Sequence, residues 1–121
     1  MKATELLNDT LRMLGYSESN GNVQLPQRVR NSAVVTINLV YEDLWNICYD
    51  EPFVPIKNFS DEIVLPDKVP KSTVMYGLAM YIAQSENDGD QQQLYAHLYN
   101  AGRARLSKIE KVIDKIPRSY D

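Results

Sequence analysis

The chain has 121 residues with a net charge of −3 and 44% hydrophobic residues, so it has enough apolar surface for one core. No apolar run approaches the roughly 20 residues that a membrane-spanning helix needs, and the first sixteen residues lack the apolar centre of a signal peptide. A single cysteine, Cys48, excludes a disulfide framework and a multi-cysteine metal site, and the acidic balance argues against a generic nucleic-acid binder.

The spacing predicts a first helix over about 4–14. Ala3, Leu7, Leu11 and Leu14 form one apolar stripe, Thr4 is placed to cap the start, and Gly15 sits where a left-handed C-terminal cap is expected. Residues 16–25 read as a polar loop. Gly21 is its only glycine, which does not make a phosphate-binding loop. Pro26 suits the first turn of a second helix over 26–49, with Ala33, Val34, Ile37, Val40, Tyr41, Leu44 and Cys48 on one face. Cys48 reads as a buried structural thiol and Trp45 as a core-edge side chain, with an interface anchor as the alternative for Trp45. Arg28 and Arg30 sit poorly for the helix dipole. They read as surface charges, or alternatively as phosphate contacts.

Asp50-Glu51-Pro52 ends that helix. Residues 53–65 then read as an extended arm or short β-hairpin. Pro55 restricts its strand to an edge, and the arm has to lie on the helices or on a neighbour. Pro70 can open a third helix over 70–86. Its apolar surface runs nearly all round, which implies burial on more than one side, and Gly77 in its middle implies a close helix approach. Glu86 to Asp90 forms a turn in which Gly89 permits the reversal and Asp90, with Gln93, fits a capping box. Counted from Asp88, the sixth and twelfth positions are Gln93 and Tyr99, so a calcium-binding EF-hand loop is rejected. A fourth helix is predicted over 90–116. Tyr95, Tyr99, Gly102, Leu106, Ile109 and Ile113 form a heptad-like seam, Leu94 widens it, and a tail follows over 117–121.

No catalytic constellation emerges. His97 is the only histidine, no spacing nominates a nucleophile and base, and the adjacent carboxylates Glu42/Asp43 and Asp61/Glu62 do not face each other as helix neighbours. The expectation is a non-enzyme without cofactor or metal. Charge is unevenly spread. Residues 61–90 are net −4 and residues 101–118 net +4, which allows head-to-tail contact between copies.

The stretch Leu65–Leu106 resembles the head–tail connector (adaptor) proteins of tailed bacteriophages and prophages. The matching residues are Leu65-Pro66, Tyr76 to Ala83, Gly89-Asp90, and Tyr95 through Tyr99-Asn100 to Arg103, Ala104 and Leu106. Leu11 to Gly15, Leu44-Trp45 and Pro52-Phe53 also fit. The resemblance covers roughly residues 3–110, while the 16–25 loop and the tail after Pro117 add nothing to it. It implies a homo-oligomeric ring beneath the portal protein at the capsid vertex, docking tail or stopper proteins, with DNA passing through without specific binding. It also implies a place in the virion after synthesis in the bacterial cytoplasm. The expected class is mostly α, a single four-helix domain with a short arm between helices 2 and 3. The candidate inter-subunit or partner contacts are Phe53, Ile56, Phe59, Asp88, Asp90, Arg103, Arg105, Lys108 and Tyr120. The competing readings are a small nucleic-acid-binding regulatory module, using Arg28, Arg30 and the basic 103–118 segment, and a cell-wall hydrolase resting only on unassigned carboxylates.

Overall fold

A computed structural model describes residues 1–16, 18, 19, 22, 23 and 26–108. Among them are four helices, α1 (Ala3–Met13), α2 (Gln27–Cys48), α3 (Lys71–Ser85) and α4 (Gly89–Ala104). The class is mostly α, as expected. The loop predicted to be irregular contains one small ladder. In it β1 (Glu18–Ser19) pairs antiparallel with β2 (Asn22–Val23), with Glu18 opposite Val23 and Ser19 opposite Asn22.

Helix α1 buries Ala3, Leu6, Leu7, Thr10 and Leu11. Thr10 is tolerated inside because its hydroxyl donates to the Leu6 carbonyl at 2.8 Å. The predicted C-cap is present. Gly15 adopts φ +90, its N–H donates to the Arg12 carbonyl, and Tyr16 N–H donates to that of Leu11, which is the Schellman pattern. The start differs from the prediction. Thr4 does not cap it; Lys2 is the N-cap residue and makes no side-chain cap bond. Instead Ala3 N–H and Thr4 N–H donate to the Asp61 and Phe59 carbonyls at 3.0 Å each, so the arm supplies the acceptors.

Helix α2 buries Val29, Ala33, Ile37, Val40, Tyr41, Leu44 and Cys48. Helix α3 buries Thr73, Val74, Gly77, Leu78, Ala79, Ile82 and Ala83, more than one face's worth, because α1, α2 and α4 all pack against it. Its all-round apolarity is therefore explained within the chain. Helix α3 ends on Asn87, whose φ of 60 makes the reversal that the sequence assigned to Gly89. Asn87 N–H donates to the Gln84 carbonyl and Asp88 N–H to that of Ala83. Gly89 is instead the first helical residue of α4, and Asp88, not Asp90, is its cap, its carboxylate accepting from Gln91 N–H at 3.1 Å.

Helix α4 stops at Ala104 rather than at 116. Arg105 and Leu106 close the end with bonds to the Gly102 and Arg103 carbonyls, and Leu106 turns onto the core. The part of the predicted helix over 109–116 and the tail over 117–121 lie outside the described residues.

Candidate functional site

The motif residues of the α3–α4 hairpin meet each other. Tyr76 stacks on Tyr95 with ring centroids 6.0 Å apart. A Cβ on Gly77 would lie 2.8 Å from Tyr99 Cε1 and 2.9 Å from Val40 Cγ1, and one on Gly102 would lie 2.5 Å from Thr73 Oγ1. Both glycines thus mark close approaches, one to α2 and α4 together and one between α3 and α4. From this contact α4 reaches α2 through a polar clamp. Arg103 donates to Asp43 with Nε–Oδ2 at 2.6 Å and a second N–H to Oδ1 at 3.0 Å, and Tyr99 Oη donates to the same Oδ2 at 2.5 Å. The two bonds together fix the orientation of the guanidinium on the carboxylate. Burial, then donation to Asp43, pushes the Tyr99 phenol well above its ordinary range, and the Asp43 bond raises the Arg103 guanidinium.

The arm lies on its own domain. Its two legs do not pair with each other as a β-hairpin. Instead Lys2 bridges antiparallel to Glu62, and Ile63 N–H donates to the Met1 carbonyl at 2.8 Å. Asn38 holds the other leg, donating to the Ile56 carbonyl at 3.0 Å and accepting from Ile56 N–H at 2.9 Å. Tyr41 Oη accepts from Val64 N–H at 3.0 Å. Asp61 closes the turn between the legs by accepting from Lys57 and Asn58 N–H. Those bonds hold its carboxyl below the usual range. Phe53 meets Tyr41 edge-on at 5.0 Å, beside Trp45 and Tyr49, and Trp45 Nε1 donates to the Glu51 carbonyl at 2.8 Å. Trp45 is thus the core-edge residue its spacing predicted.

These contacts revise the candidate residues. Ile56 is a core residue at 6% exposure, and Phe53 and Phe59 pack half-buried against the same core, so they are not free contacts for a neighbour. Arg103 is held by Asp43. Asp88 is spent as a helix cap. Lys108 donates to the Asn46 and Tyr49 carbonyls at 2.8 and 3.0 Å and pairs with Asp50 at 3.0 Å, which quiets the exposed C-terminal carbonyls of α2. Among the described basic residues of the C-terminal segment, Arg103 and Lys108 are therefore engaged internally. Glu86 is likewise bonded by Arg28 at 3.1 and 3.2 Å. Asp90 and Arg105 remain exposed, and Tyr120 lies outside the described residues.

Other exposed features were not singled out by the spacing. Val35 and Leu39, one turn apart on α2, are 63% and 47% exposed, and Val54 and Val64 on the arm are 74% and 59% exposed. Leu94, predicted to widen the α4 seam, is 51% exposed. The Asn38, Tyr41 and Asp43 bonds also escaped the sequence reading, since polar side chains beside a helix's apolar stripe carry no mark of a distant partner. Cys48 is fully buried, and burial pushes its thiol up. Among the described residues no group of three or more His, Cys, Asp or Glu converges as a metal site, and no helix is long and apolar enough to cross a membrane. No protein-family model, curated protein or solved structure matches the chain.

Proposed function

We propose that the protein is a structural adaptor of a phage or prophage head–tail junction, a non-catalytic ring component between portal and tail-completion proteins. One observation carries the reading. The residues of the connector resemblance are those that build and lock the α3–α4 hairpin: Tyr76, Gly77, Tyr95, Tyr99 and Arg103 stack, approach and clamp. A motif set of this kind specifies architecture rather than chemistry, which suits an assembly component. The exposed apolar side chains of α2 and the arm, Val35, Leu39, Val54 and Val64, fit a subunit contact better than the residues nominated from sequence. Head-to-tail packing of such a patch against a different surface closes rings.

Native mass spectrometry and electron microscopy of the protein mixed with its cognate portal protein form the test. Ring-sized, portal-bound particles are expected, and no association at micromolar concentration overturns the reading. The double variant Leu39→Asp, Val54→Asp changes two side chains that are 47% and 74% exposed. It should lose no more than about 1 kcal/mol of unfolding free energy while losing ring formation. Rings that form unimpaired would show that this patch is not the contact.

A further inference from the structure

Two helix stripes on the surface carry charge in opposite order. On α2, Arg28, Val35, Leu39 and Glu42 follow one another at spacings of seven, four and three, so they share one face. On α4, Asp90, Leu94, Leu98, Ala101 and Arg105 follow at spacings of four, four, three and four. Val35, Leu39 and Leu94 are the exposed apolar side chains of these two helices, and Leu98 and Ala101 are half-buried beside Leu94. The stretches 31–41 and 91–102 contain no Lys, Arg, Asp or Glu, so both stripes have an uncharged centre. Glu42, Asp90 and Arg105 are exposed and make no ion pair among the described residues. Arg28 uses Nε and Nη2 on Glu86 yet is 62% exposed, with N–H donors to spare.

The stripes also match in length. Arg28 to Glu42 is 14 positions, about 21 Å, and Asp90 to Arg105 is 15 positions, about 22 Å at the helical rise. Laid side by side in the same direction, they pair Arg28 with Asp90 and Glu42 with Arg105, and they set Val35 and Leu39 against Leu94, Leu98 and Ala101. The opposite direction sets Arg28 against Arg105 and Glu42 against Asp90, which like charges disfavour. A ring supplies the favoured direction. Within the chain Val40 and Tyr99 flank Gly77 while Asp43 meets Arg103, so α2 and α4 ascend together. Rotation about an axis along the bundle keeps that sense in the neighbouring copy. We propose, resting on the ring-forming reading above, that the exposed stripe of α2 is covered by the exposed stripe of α4 from a second copy of this chain. The apolar centre supplies the buried area, and the two charge pairs at its ends fix direction and register.

Charge reversal in full-length protein tests the pairing, with assembly on the cognate portal protein followed by native mass spectrometry. Glu42→Arg and Arg105→Glu each place like charges together at every contact between copies. Each variant alone should assemble about tenfold more weakly than the natural chain. An equimolar mixture of the two should recover to within about threefold, because in alternating order every contact again joins opposite charges. Mixing chains cannot mend a contact made within one chain. Asp67→Arg changes net charge as much as Glu42→Arg, from the segment before α3, and should assemble as the natural chain does. Single variants that assemble normally, a mixture no stronger than its components, or equal weakening by Asp67→Arg overturns the pairing and leaves the adaptor reading in place. Failure of the natural chain to assemble overturns that reading and the pairing with it.

Discussion

Gly77 leaves no room for a side chain, because the Tyr99 ring and the Val40 methyl already occupy the space a Cβ would take. Neither neighbour gives way easily. Val40 is 1% exposed in the core, and Tyr99 is anchored by its hydroxyl on Asp43. Gly77→Ala gains helix propensity but forces these groups apart, and a net loss of about 1–3 kcal/mol is expected in urea titration. A neutral result would mean that α3 and α4 slide past each other at low cost. This glycine was legible in the sequence, since an isolated glycine within a helix needs a packing reason. Asp43 was not. It sits beside Glu42 and reads as half of a solvated pair, and only the fold brings Arg103 to it across 60 positions of chain.

At the scale of elements, the helices were legible where local chemistry decides them and illegible where tertiary contacts do. Gly15 and Pro52 announce helix ends by backbone sterics alone. The end of α4 at Ala104 has no such sign, because Leu106 and Ile109 continue the seam. The chain departs there so that Leu106 can pack and Lys108 can bond the α2 carbonyls. The turn before α4 was misplaced for a related reason. Asn tolerates the left-handed conformation, so the more obvious Gly89 was not needed for it. Asn87→Ala should cost about 1 kcal/mol, read from thermal unfolding, and no loss would mean that the turn re-forms on Gly89. The arm was recognised as extended, but its fastening was not. Asn38 stands in for a strand by giving Ile56 both a donor and an acceptor. Asn38→Ala strands both backbone groups beside the core. A loss of about 2 kcal/mol is expected, together with faster exchange of the Ile56 amide than of amides in α3. Uniform acceleration across both would show that the arm unfolds only with the whole domain.

For the molecule as a whole, α3 at the centre couples every other helix, and the clamp from α4 to α2 closes the bundle from outside α3. That arrangement predicts an alkaline limit to stability. In the unfolded chain Tyr99 ionises near pH 10, whereas in the folded chain its phenol stays protonated to higher pH. Its contribution is therefore fully present below pH 10 and is lost as pH rises through the folded value, because above pH 10 the unfolded state binds fewer protons. The slope approaches about 1.4 kcal/mol per pH unit for one such group. Tyr99→Phe removes the bond to Asp43 and the titration together. At pH 9 the variant should be less stable than the natural protein by about 1 kcal/mol. Above pH 10 the gap should close, because only the natural protein loses stability through this group. Urea midpoints measured from pH 9 to 11.5 on both proteins check this: converging curves are expected, and parallel ones would show that the buried phenol is not what limits the fold at high pH.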